Sequence, residues 1–97
     1  MYIILLNYKV SVEEVDQFRA GHVKYLDKNY ENGSFICSGP RIPRTGGVIL
    51  CRAKSQEEVL TIIQEDPYII NDVAGYEIIN FRTAHIADGF EKFADEK

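Results

Sequence analysis

No stretch of this 97-residue sequence is apolar enough to cross a membrane, because the longest purely apolar run is Tyr2 to Leu6 and a spanning helix needs roughly 20 such residues. The start also lacks the basic flank and cleavage signal of a secretory leader, so the expected location is the cytoplasm. A cationic surplus is missing as well. Eleven Lys and Arg stand against fifteen Asp and Glu, a formal net charge of -4, and the cations are scattered rather than gathered into a stripe. That pattern argues against nucleic acid as a partner. Cysteine is scarce: Cys37 and Cys51 have no metal-ligand spacing and sit in strand-like runs, so both are expected to be buried, reduced thiols. Histidine is scarcer in context, since His22 and His85 are far apart and no Cys-x-x-Cys, His-x-x-x-His or carboxylate cluster accompanies them. No metal site is expected.

What is present is the composition of one ordinary folded domain, without repeats, linkers or low-complexity tracts. At this length a folded chain still buries only about two-thirds of its unfolded surface, so association would help it. Tyr2 to Tyr8 reads as a strand apolar on both faces, and Ser11 with Glu14 forms a capping box that starts a helix ended by Gly33. Ser34 to Ser38 reads as a second strand, followed by a loop from Gly39-Pro40 to Gly47. Val48 to Ala53 is a third strand, and Ser55 with Glu58 opens a helix that Pro67 stops at Asp66. Tyr68 to Asn71 reads as a turn and Ala74 to Thr83 as the last strand, with His85 on the surface beyond it. The order β-α-β-β-α-β with two short helices predicts a ferredoxin-like α+β fold, a four-stranded antiparallel sheet covered on one face. The other face, apolar through half of Tyr2 to Tyr8, calls for a second copy of the chain, so a homodimer is expected.

The first helix is expected as one piece from Ser11 to Gly33. Val12, Val15, Phe18, His22, Leu26 and Tyr30 recur at the helical period, which turns His22 inward, where the pattern calls for a hydrophobe. A core histidine with one hydrogen-bond partner and no chemistry is one reading. The other is a site, if further residues converge on it. In a split βαβ sheet the first helix can approach the end of the second, which brings Asp66 within reach of His22. At a helix C-terminus Asp66 would need a compensating donor, although an aspartate before proline is also a common turn residue. Ser38-Gly39-Pro40, read as a turn, sets a hydroxyl beside a bare amide and suits an oxyanion, unless it is a plain turn. Arg41 and Arg44 follow and suit an anionic substrate, although exposed loop arginines are often simply solvated. A nucleophilic triad fits poorly, since Ser38 is not in a strand-to-helix elbow.

The N-terminal Tyr-Ile-Ile-Leu-Leu strand, His22 followed by Tyr25-Leu26, Gly33-Ser34-Phe35, Ser38-Gly39-Pro40, Gly46-Gly47 and Asp66-Pro67-Tyr68 together resemble the YciI-like (YCII-related) proteins, from Met1 to about Phe81. The resemblance implies a ferredoxin-like domain of the dimeric α+β barrel type, here 1–85; the C-terminal tail 86–97 carries Phe90 and Phe93, which suit a short amphipathic turn docking on the body or on a partner, although its Asp and Glu content equally suits a solvated end. It implies a His-Asp pair, His22 and Asp66, with Ser38, Gly39 and Pro40 lining the same pocket. One branch of such proteins removes chloride from a chlorinated hydroxyhydroquinone without a metal, and fold relatives include muconolactone isomerases and cofactor-free monooxygenases. Asn71-Asp72 is a departure, because the family often has a small residue and a glycine there.

The resulting expectation is a small cofactor-independent enzyme, of lyase, dehydrochlorinase or isomerase type, acting on a small cyclic or phenolic substrate. His22 and Asp66 would be catalytic, and Ser38, Gly39, Pro40, Arg41 and Tyr68 would bind substrate. The alternative is a non-catalytic dimeric small-molecule-binding or regulatory module, since fold does not fix function.

Overall fold

The computed structural model describes residues 1–94. Its elements are β1 (Tyr2–Tyr8), α1 (Val12–Asp16), α2 (Arg19–Glu31), β2 (Phe35–Pro40), β3 (Gly46–Cys51), α3 (Gln56–Ile63), α4 (Pro67–Ile70) and β4 (Ala74–Asn80). The strands form one antiparallel sheet in the order β2-β3-β1-β4. This is the ferredoxin-like arrangement, with β1 and β3 central and each crossover made of helices.

Alternation along the strands sorts the two faces. Tyr2, Ile4 and Leu6 of β1 and Ile49 and Cys51 of β3 are buried, and the core continues through Val15, Tyr25, Val59, Ile63 and Tyr68 of the helices. On the opposite face Ile3 of β1 stands in register between Leu50 of β3 and Ile79 of β4, and Ile79 is 41% exposed. No helix of the described residues is long and apolar enough to cross a membrane.

Several boundaries differ from those expected. The segment from Ser11 to Gly33 is two helices rather than one, because Phe18 leaves helical geometry at φ -109 and ψ 9. The break re-aims α2, so that Tyr25 and Asn29 become its buried residues and Tyr30 is left 38% exposed. Ser11 does cap α1, accepting from the Glu14 N–H, and Gly33 follows α2 at φ +86, the conformation glycine adopts without cost. Strand β2 runs on through Gly39 and Pro40, so Ser38-Gly39-Pro40 is strand rather than turn and the loop shrinks to residues 41–45. Gly46 and Gly47 belong to β3, opposite Asn7 and Leu6, and a Cβ on Gly46 would lie 1.8 Å from the Leu6 carbonyl oxygen. Strand β4 ends at Asn80 rather than Thr83, since the chain beyond Phe81, whose N–H donates to the Met1 carbonyl at 2.9 Å, has no β1 residue left to pair with.

Cys51 is buried as expected, but Cys37 is exposed. It stands opposite Leu50 on the face the helices leave bare, after a register shift between Phe35 and Cys37. In the tail, the Phe90 and Phe93 rings pack at 5.6 Å, and Arg52 ties this turn to the body by donating to the carbonyls of Gly33 (3.0 Å) and Lys92 (2.9 Å). The last three residues of that tail lie outside the described residues.

Candidate active site

The site forms where α2 crosses α4. Gly21 permits the approach: a Cβ there would meet Pro67 Cγ at 3.2 Å, so a larger residue requires the Pro67 ring to give by a few tenths of an ångström. His22 follows Gly21 and Asp66 precedes Pro67, and the close crossing brings their side chains together, His22 Nδ1 lying 2.8 Å from Asp66 Oδ1. The pair is shielded, with side-chain exposures of 12% for His22 and 1% for Asp66.

Asp66 does not sit at a helix C-terminus opposed by the dipole. Helix α3 has already ended at Ile63, and Asp66 is the N-cap of α4, its Oδ1 accepting from the Tyr68 N–H at 3.0 Å. With Oδ1 accepting from Nδ1–H, the free lone pair of the imidazole would stand on Nε2. The other oxygen, Oδ2, is buried and has no hydrogen-bond partner among the described residues. His22 is thus the one side chain of the described residues that hydrogen-bonds this carboxylate.

Aromatic rings fix the imidazole further. Tyr68 stacks on it at 3.9 Å and 8°, and Tyr25 lies at 6.0 Å and 31°. With Nδ1 occupied and one face covered, the Nε2 edge is the part of the ring that these contacts leave free. Burial, and then the Asp66 charge, push the Tyr25 phenol far above its usual range, and burial raises Tyr68 as well, so both stay protonated at neutral pH.

His22 and Tyr68 border a cavity of ≈ 290 Å³, which is also lined by Leu6, Tyr8, Leu26 and Ile49 and by Ser38, Gly39 and Pro40. Ser38 is not beside a bare amide, because Gly39 is paired with Val48 in the ladder. Its hydroxyl instead lies 2.5 Å from the Tyr30 hydroxyl, and either oxygen can be the donor. If Tyr30 donates, the Ser38 proton is free for a ligand.

Arg41 is not part of the cavity wall; it reaches back to Asn7 Oδ1 at 3.0 Å. Arg44 is part of it, held by two bonds to Asp16 (2.6 and 3.3 Å) and one to the Tyr8 hydroxyl (3.2 Å). The bond from Arg44 holds the Asp16 carboxyl below the ordinary aspartate value. Arg19, which the sequence reading passed over, also lines the cavity. Only the break at Phe18 makes it the first residue of α2, and the sequence signal for it was its spacing three residues before His22. Neither Asn71 nor Asp72 borders the cavity. Asp72 adopts φ 56, where glycine would be at ease, and pairs with Lys9.

The sequence model of the YCII-related domain matches residues 1–82. Among solved structures, the 5-chloro-2-hydroxyhydroquinone dehydrochlorinase from Burkholderia phenoliruptrix AC1100, in complex with 2,5-dihydroxybenzoquinone, superposes with a TM-score of 0.70 at 17% identity. The match covers 84% of this chain and 94% of that one, and at this identity it shows the shared fold. No curated protein is similar to the chain in sequence.

Proposed function

The chain belongs to the YCII-related domain family, and we propose that it is a small cofactor-independent enzyme in which His22 and Asp66 carry out acid/base chemistry on a small cyclic or phenolic substrate. The observation that carries this reading is the 2.8 Å contact between His22 Nδ1 and a buried, N-capping Asp66, which leaves Nε2 as the reactive edge of a ring that borders a cavity.

The chemistry follows from these parts. Nε2 takes a proton from a ring carbon or hydroxyl of the substrate, and Asp66 stabilises the imidazolium that results. The electron pair left behind moves toward the substrate oxygen as an enolate, for which Ser38 supplies a hydrogen bond. In a lyase or dehydrochlorinase, that pair then forms a double bond as a leaving group such as chloride departs with its own bonding electrons. In an isomerase, Nε2–H returns the proton at another carbon. The wall of Gly39, Pro40 and Tyr68 would flank a flat ring.

We further propose that the working unit is a homodimer in the cytoplasm. Ile3, Leu5, Leu50 and Ile79 make the helix-free face apolar, with Val48 37% exposed beside them, and a second copy is the occupant that matches such a face. A stable interface there should bury more than about 1,000 Å². Sedimentation should give a dimer at micromolar concentration, and Ile3→Asp should give monomer or aggregate; a monomeric wild type would refute this part. The exposed Cys37 thiol suits a reducing compartment.

Proton transfer can be tested directly, by NMR in D₂O with a panel of hydroxyhydroquinones, chlorinated hydroxyhydroquinones and cyclic enol lactones. The wild type should accelerate deuterium uptake, chloride release or isomerisation for at least one member. His22→Ala and Asp66→Asn should lower that rate by roughly 100-fold or more. Binding without turnover by any member would favour a binding or regulatory module instead.

A further inference from the structure

The cavity carries two cations of different standing. Arg44 is already neutralised by its two bonds to Asp16 and is further held by Tyr8. The Arg19 side chain makes no hydrogen bond or ion pair among the described residues, although its charge is felt at Asp16. Arg19, His22, Val23 and Leu26 all line the cavity, and their spacing of three, one and three makes them one stripe of α2. Arg19 and His22 therefore stand about one helical turn apart along the same wall of the cavity. The cavity, at ≈ 290 Å³, is near the lower limit for ligand pockets and suits a single ring with small substituents.

We propose that Arg19 is the specificity-determining residue of this cavity, and that the ligand is a single aromatic or quinonoid ring bearing one acidic group, bound at Arg19 with the ring beside His22 and Tyr68. The proposal rests on the cavity being a small-molecule site, as the acid/base reading above also requires. One acidic group is what the charges allow: Arg19 is the uncompensated cation, whereas a second anion would have to take Arg44 from Asp16.

The test is calorimetric or NMR titration at neutral pH with 2,5-dihydroxybenzoate and with its neutral counterpart, 2,5-dihydroxybenzamide. The wild type should prefer the acid by about tenfold, the size of one charge-assisted hydrogen bond. Arg19→Gln should remove that preference while leaving the amide's affinity unchanged. Arg41→Gln, which alters a cation outside the cavity wall, should retain it. If the wild type binds both compounds equally, or if Arg19→Gln keeps the preference, Arg19 does not read charge although the cavity still binds aromatic rings. An equal loss of preference in Arg41→Gln would likewise refute Arg19 as the reader, since the effect would then be a diffuse surface potential. If neither compound binds, this proposal fails together with the small-molecule reading of the cavity.

Discussion

Tyr25 and Asn29 on one row of α2, and Arg19, His22, Val23 and Leu26 on the adjoining one, share a helix but answer different demands. The first row is buried: Tyr25 meets Phe35 edge-on at 5.7 Å, and the Asn29 amide donates to the Tyr25 carbonyl at 2.9 Å. The Asn29 side chain is satisfied locally, and the role of this row is packing. The second row borders a cavity, leaves the Arg19 side chain without a hydrogen-bond partner among the described residues, and places the His22 ring where the two rows meet. A packing row is selected by what it fills, a cavity row by what it leaves open.

The comparison can be broken most severely at its packing side. Tyr25→Ala should destabilise the fold by roughly 3 to 5 kcal/mol, the range for deleting a buried aromatic ring, as read from urea unfolding. Val23→Ala, on the cavity row and 40% exposed, should cost well under about 1 kcal/mol.

His22 lies between these extremes. Removing it strands a carboxylate whose Oδ2 already lacks a partner among the described residues, so His22→Ala should cost about 1 to 3 kcal/mol as well as activity. The double variant His22→Ala/Asp66→Asn should recover part of that stability and none of the activity. If His22→Ala proves harmless to both, the pair is an incidental contact.

A smaller effect is expected at Gly21. Gly21→Ala gains about 1 kcal/mol of helix propensity but presses a methyl on Pro67 at 3.2 Å. Stability should barely move, while turnover falls several-fold as His22 and Asp66 shift apart. The smallest effect concerns Asp16, whose carboxyl is held below its ordinary value chiefly by the Arg44 hydrogen bond. A group lowered on folding contributes stability above its unfolded value and loses it as pH falls through the folded one. Asp16→Asn should therefore weaken the protein slightly at neutral pH and not at all in strong acid.

Much of this was legible in the sequence because it rests on local chemistry. The capping boxes at Ser11 and Ser55 start α1 and α3, and the strand and helix order sets the sheet. Helical period and the Asp-Pro corner put His22 and Asp66 within reach of each other but left each open to a plain structural role, and the pairing was what the family resemblance implied. Other features depend on tertiary contacts that no local pattern encodes. The break at Phe18 trades one turn of helix for a re-aimed α2. Gly21 reads as a weak helix residue until Pro67 is seen against it. Asp66 looked like a helix end because Pro67 can stop one helix and equally occupy the first position of the next. Gly39-Pro40 and Gly46-Gly47 looked like loop by composition, yet both pairs lie in strands, and at Gly46 β1 comes so close to β3 that glycine is required.

The central claim is that Asp66 sets the tautomer of His22 and so leaves Nε2 as the base. ¹⁵N NMR of the His22 ring in its neutral form reads this directly. In the wild type Nδ1 should carry the proton and Nε2 should show the shift of an unprotonated nitrogen, and in Asp66→Asn that preference should weaken or reverse. A wild-type spectrum with the proton on Nε2, or one unchanged by Asp66→Asn, would contradict the account.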